Sequence, residues 1–350
     1  MKSVTHHCLS LQIQPPNPRR RQISLHYLSP AAAATPPPLA FSLSSLKPHS
    51  KHPFSIKFQQ QTHLNHTQPN NSNKKIQTQD DGGGIPIDQV KTLARFKSLH
   101  NHITVIQVSR AADHPFAGSR LLLLDIPGNI HSISFLLPNK LLTSTYFDVF
   151  ATLPPLLPPG PLALLGFGAG SAANIILESY PTGVIHGWEI DPAVISVARE
   201  FFNLSWIERK YPDRLKVHIG DAMGAEIEGG FSGILVDLFS KGCLIPELQD
   251  PSTWEKMKGR LRSGGRIMVN VGGSCVEAED EWSDGKAVME ESLRALDQVF
   301  PGQVSVLSMG NRGEDSSVAM TGKMPDVDEW KRRLPKALRF HADMWTPFRG

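Results

Sequence analysis

Three glycines and three acids in this chain have the types and spacing to hold a nucleoside. Gly166, Gly168 and Gly170 alternate in the run LALLGFGAG, Leu162–Gly170, behind four consecutive apolar residues. Such an apolar run reads as a strand buried on both faces. Glycine lets a backbone approach a ligand closely, and a helix start offers unpaired N–H groups. Ser171 precedes the apolar-periodic segment Ala172–Leu177 and is expected to be its N-cap. Glu189 ends a second strand-like run; an ionised carboxylate only accepts hydrogen bonds, which suits the two hydroxyls of a ribose. Asp221 and Ala222 follow a third run through Gly220, and Asp221 is placed to accept from an adenine amino group. Asp237 ends a fourth. The glycine spacing is G-x-G-x-G; Ser171 stands where a dinucleotide fingerprint has its third glycine, which disfavours a dinucleotide oxidoreductase.

These residues need a scaffold that brings strand ends together. From Leu162 the chain alternates strand and helix patterns, the signature of a doubly wound α/β sheet. Strands are expected at Val184–Ile190, Leu215–Ile219, Gly233–Asp237, Arg266–Val271, Val304–Met309 and Ser317–Thr321. Helices are expected at Pro192–Phe202, with Asp191 as N-cap, and at Ser252–Leu261, Lys286–Phe300 and Asp326–Leu334. Ahead of this domain, Asp88–Leu99 has Val90, Leu93 and Phe96 at helical spacing. Ile103–Val108, Arg120–Ile126 and His131–Leu137 read as strands of a small antiparallel sheet, the last two joined by a turn at Pro127-Gly128-Asn129. Leu142–Leu153 reads as a helix stopped by Pro154 and Pro155. The division is therefore a small β region at 85–140 and a Rossmann-like α/β domain at 141–350. In an open sheet of this kind, ligands bind beyond the carboxyl ends of the strands where strand order reverses.

Charge separates the first 79 residues from the rest. They contain no Asp or Glu and nine Lys or Arg, so removing them from the formal +3 leaves −6 on the body. A body with that balance is a poor match for nucleic acid, which needs clustered positive charge. The acid-free, Ser- and Pro-rich stretch at 1–80 reads as a disordered plastid transit peptide and linker, placing the protein in the chloroplast stroma. Cys8, Cys243 and Cys275 show no paired spacing, which fits a reducing compartment and gives no metal framework. No apolar run reaches bilayer length, so no membrane partner is expected. A homodimer is compatible with the sequence.

LALLGFGAG, HGWEID, HIGDA and ILVDLF together resemble the successive motifs of class I S-adenosylmethionine-dependent methyltransferases. Within that superfamily the chain is most similar to spermidine synthases, the polyamine aminopropyltransferases, from about Ile103 to Lys323. The resemblance implies a cofactor that is S-adenosylmethionine or a related adenosyl-sulfonium nucleoside, held at Gly166, Gly168, Gly170, Glu189, Asp221 and Ala222. It implies Tyr146 and Asp148 as substrate-binding residues and Asp237 as the group that orients or deprotonates the acceptor. The departures point away from the family's usual substrates. Ala169 stands where the aminopropyltransferases carry an acid for the donor's amine, Phe147 where they carry a glutamine, and Ser240 where they carry the second acid of Asp-x-x-Asp. Polyamine ammonium groups in a cleft need carboxylate partners. The expected activity is therefore transfer from S-adenosylmethionine, methyltransferase-like, to an unidentified small-molecule acceptor. The alternatives are an aminopropyltransferase of altered specificity and a non-catalytic module that keeps the fold.

Overall fold

The computed structural model describes residues 85–125, 130–137, 139–240, 242–272, 285–309 and 316–350. The expected transit segment and linker, the turn at 127–129, Cys8 and Cys275 lie outside the described residues.

The chain begins with β1 (Val90–Lys97), β2 (His102–Val108), β3 (Ser119–Leu124) and β4 (Ile130–Phe135), an antiparallel sheet in that order. β1 replaces the helix expected over Asp88–Leu99. Thr92 pairs with Ile106 and Ala94 with Val105, so Leu93 is the extra residue of a β-bulge. One inserted residue turns a period of two into a local spacing of three, which imitates helical periodicity.

The short helix α1 (Tyr146–Phe150) follows, then β5 (Leu162–Leu165), α2 (Ser171–Ser179), β6 (Ile185–Glu189), α3 (Pro192–Phe201), α4 (Leu204–Lys210), β7 (Leu215–Ile219) and β8 (Phe231–Val236). A two-residue hairpin pair, β9 (Phe239–Ser240) and β10 (Cys243–Leu244), leads to α5 (Pro251–Gly259), β11 (Leu261–Gly272), α6 (Gly285–Val299), β12 (Val304–Ser308), β13 (Ser317–Thr321), α7 (Val327–Arg333) and β14 (Thr346–Pro347). α1 is much shorter than the helix expected over Leu142–Leu153. Thr143 and Ser144 instead wrap the Asp148 carboxylate, Ser144 at φ 60°, and Thr145 caps the helix.

The main sheet runs β14-β12-β13-β11-β8-β5-β6-β7. β11, β8, β5, β6 and β7 are parallel; β13 pairs antiparallel with β11. Order reverses between β5 and β8, so the crevice for a ligand opens beyond their carboxyl ends. β5 is buried on both faces: Leu162 and Leu164 join one core, Ala163 and Leu165 the other. The first core also takes Ile103, Leu121 and Leu122 of the small sheet, together with Ile175 and Ile176 of α2. The second is closed by Trp254 and Met257 of α5 and Leu293 and Leu296 of α6. Among the described residues, no helix is long and apolar enough to cross a membrane.

Candidate functional site

The glycine turn lies at the carboxyl end of β5, and it is crowded from both sides. Gly166 has φ +85°, and a Cβ there would sit 2.0 Å from the backbone oxygen of Asp237. Gly168 has φ +55°, and a Cβ there would meet Ser132 Oγ at 2.8 Å. One glycine thus admits the end of β8, the other admits β4. Gly170, also left-handed, is the N-cap of α2. This corrects the assignment of Ser171: it is the first helical residue, and its hydroxyl bonds the N–H (2.8 Å) and the carbonyl (2.9 Å) of Ile133 on β4.

Every N–H of the turn is engaged within the protein. Gly166 and Phe167 donate to the carbonyl of Trp188, and Gly170 to that of Phe167. Gly168 donates to Glu189 Oε2 at 2.9 Å, and Ala169 to Ser132 Oγ at 2.8 Å. The turn is therefore held rigid by β6 and β4 rather than presenting a row of free amides. The first turn of α2 keeps the unpaired N–H groups that any helix start has.

Glu189 is 7% exposed. Its Oε1 accepts from Asp191 N–H at 3.1 Å, its Oε2 from Gly168. Burial raises its pKa to about 7, backbone N–H groups of Asp191, Gly168 and Ile190 opposing that shift. The carboxylate keeps acceptor capacity beyond these bonds. Asp191 caps α3 through Ala193 N–H, as expected. Its second oxygen also receives Ser98 Oγ and Asn101 Nδ2 (2.7 Å), fastening the β1–β2 hairpin to the Glu189 side of the site. Asp221 accepts from Met223 N–H at 2.8 Å and remains exposed, with Ala222 buried beside it. Ile190, between Glu189 and Asp191 in the chain, is 49% exposed.

Asp237 lies one residue past β8. Tyr146 Oη donates to its Oδ2 at 2.8 Å, and Asn270 Nδ2 donates to its Oδ1 at 3.0 Å. Burial raises the Asp237 pKa to about 6, and both hydrogen bonds lower it. Tyr146 is held well above its ordinary value by burial and by the Asp237 charge, so it remains a donor. Its ring packs on Phe147 and Phe150 at centroid distances of 4.2 and 5.6 Å. Sequence reasoning brought Tyr146 to this place but missed Asn270. Asp148 is not brought to the site: its carboxylate is 3% exposed and takes two bonds from Thr143 and one from Ser144. The one sign of Asn270 in the sequence is a polar residue near the end of the apolar run RIMVNV.

Glu189 thus ends β6, Asp221 stands beyond β7 and Asp237 beyond β8, around the crevice at the end of β5. No family model matches the chain. The eEF1A lysine and N-terminal methyltransferase of Bos taurus is 32% identical over 215 residues, which cover 55% of this chain and 28% of that protein. A polyamine aminopropyltransferase of Neisseria meningitidis is 26% identical over 259 residues, covering 72% of this chain and 84% of the relative. The chain thus spans less than a third of the length of the methyltransferase it matches. A solved structure of a probable spermidine synthase from Corynebacterium glutamicum superposes with a TM-score of 0.54 at 16% identity, covering 71% of this chain and 93% of that one. The chain has the spermidine synthase-like form of the class I methyltransferase fold.

Proposed function

We propose that this protein transfers a methyl group from S-adenosylmethionine to an amine nitrogen. The observation that carries the reading is Asp237. It is a half-buried carboxylate whose partners among the described residues, Tyr146 and Asn270, are both uncharged donors. Such a carboxylate retains the capacity to take a proton from an incoming N–H. The names of both groups of relatives specify amine acceptors, lysine and protein N-termini in one and polyamines in the other.

The residues present fit an adenosyl donor. Glu189 has acceptor capacity for the ribose hydroxyls, Asp221 is exposed to accept from the adenine amino group, and Ile190, next to Glu189 in the chain, offers an exposed apolar side chain. The donor supplies an electrophilic carbon on a sulfonium. The protein's part is to orient the acceptor beside Asp237, exclude water with the Tyr146–Phe147–Phe150 wall, and hold the proton released. The neutral residues Ala169 and Ser240 support S-adenosylmethionine over its decarboxylated form, because no carboxylate stands there for the second donor's ammonium.

The second reading, aminopropyl transfer, is favoured by the length of the match to aminopropyltransferases. A side-by-side assay of both donors with an amine panel separates the two. Methyl transfer from S-adenosylmethionine is expected; spermidine or spermine formation from the decarboxylated donor would replace this reading with the second. We also propose a plastid address from the acid-free first 79 residues. Residues 1–80 fused to a fluorescent protein should enter plastids, and uniform cytosolic fluorescence would refute it.

A further inference from the structure

Asn270 is 4% exposed, and its carboxamide is held in one orientation. Gly272 N–H donates to its Oδ1 at 3.0 Å. A backbone N–H can only donate, so the amide oxygen faces Gly272 and the NH2 faces Asp237. In the β11–β13 ladder Asn270 pairs with Val318 and Gly272 with Ser317, so Val271 is an extra residue. A bulge of this kind re-aims the side chains beside it. Here it accompanies an Asn270 side chain that reaches the end of β8.

The two oxygens of Asp237 are therefore unequal. Oδ1 faces a group that can only donate. Oδ2 faces a hydroxyl, which can donate or, by rotating, accept. We propose that Asn270 is a positioning residue of the transfer reaction: it keeps Asp237 Oδ1 a permanent acceptor and directs the acceptor's proton to Oδ2, on the Tyr146 side.

The proposal rests on the amine-transfer reading above. In the step, the amine nitrogen bonds to the transferred carbon as the carbon–sulfur bond breaks, and that electron pair leaves on sulfur. The N–H proton passes to Oδ2, and the Tyr146 hydroxyl turns to accept from it. A proton on Oδ1 would instead meet the amide hydrogens of Asn270. Among the described residues, the titratable group facing Asp237 is Tyr146, from α1; β11 contributes the neutral Asn270. No ion pair of the described residues includes Asp237.

The test is a carboxyl titration by NMR on the ligand-free full chain labelled with 13C-aspartate. The Asp237 signal is assigned by its loss in Asp237→Asn. Asn270→Leu keeps the bulk but removes the donor to Asp237 without adding a charge. A charge-assisted hydrogen bond lost in this way raises the midpoint by about one to two pH units. Asn270→Ala should shift it in the same direction. An unshifted midpoint in a folded Asn270→Leu variant would overturn the proposal. With donor and amine present, the acid limb of the pH–rate profile should move up by the same amount in Asn270→Leu, while the KM for the donor holds. If the titration moves but the unmutated chain transfers nothing to amines, the Asn270–Asp237 coupling stands and the amine-transfer reading falls.

Discussion

The Glu189 side and the Asp237 side of the crevice are built from different materials. Beyond β5 and β6, Glu189 and the turn are held mostly by backbone: N–H groups of Gly168 and Asp191 hold Glu189, and carbonyls of Trp188 and Phe167 hold the turn, with Ser132 the one side chain among the turn's partners. Beyond β8, the contacts of the Asp237 carboxylate are made by side chains from distant segments. Tyr146 lies 91 residues before Asp237 and Asn270 lies 33 after it. Backbone contacts fix position and resist substitution of neighbouring side chains. Side-chain contacts fix the protonation behaviour of one carboxylate and are lost one residue at a time. The difference teaches where each kind of change in this protein should be felt.

The two sides meet at Gly166, and breaking that joint should have the largest effect. An added Cβ would overlap the Asp237 carbonyl at 2.0 Å, on a backbone already at φ +85°. Gly166→Ala is expected to cost about 3–5 kcal/mol, the sum of a left-handed penalty and a backbone displacement. Thermal denaturation should show a fall in Tm of about 10 °C or more. A Tm within two or three degrees of the parent, by the same scaling, would mean that the joint yields easily.

A smaller effect distinguishes the sides by pH. Both carboxylates have folded pKa values above their ordinary ones, about 7 for Glu189 and about 6 for Asp237. A raised carboxylate binds more protons folded than unfolded, so it favours the native state at low pH and progressively less as pH rises through that window. These two groups should therefore make the ligand-free protein lose stability between about pH 4 and pH 7. Glu189→Gln and Asp237→Asn should each flatten Tm against pH, Glu189→Gln up to the higher pH. If neither substitution changes the slope, burial does not shift these groups as the geometry requires.

The smallest change sharpens the role of the small sheet. Ser132→Ala removes the acceptor of the Ala169 N–H, leaving a buried donor unmet. The expected loss is about 1–2 kcal/mol. Amide exchange should quicken at Ala169 while Asp237 keeps its titration midpoint. A shift of that midpoint would show that the small sheet governs both sides.

The same contrast explains what could be read from the sequence. Gly166–Gly170, Glu189 and the Asp191 cap were legible because backbone geometry demands particular residue types at fixed local spacing. The alternating strands and helices from Leu162 onward were legible through hydrophobic period. The β1 bulge defeated that signal, since one extra residue at Leu93 mimics a helix. Ser171 has an N-cap's chemistry, but Gly170 already supplies the left-handed entry and β4 offers the hydroxyl two partners. Asp148, expected at the site, turns away from it, and Asn270, for which nothing was expected, reaches it, for a further reason. Which buried polar side chain faces the crevice depends on a left-handed turn at Ser144 and a bulge at Val271. Neither leaves a local residue-type signature strong enough to read.

The central claim is that one side holds the donor and the other performs the transfer. It is tested most directly by measuring the donor Kd and kcat together on Glu189→Ala and Asp237→Asn, using calorimetry with S-adenosylmethionine and labelled-methyl transfer. Glu189→Ala should weaken donor binding about tenfold to a hundredfold, the loss of a charge-assisted hydrogen bond. Asp237→Asn should bind the donor as the unmutated chain does and lose about 10²–10⁴ in kcat, the usual contribution of a positioned base. Equal weakening of donor binding in both variants, or turnover undiminished in Asp237→Asn, would contradict the account.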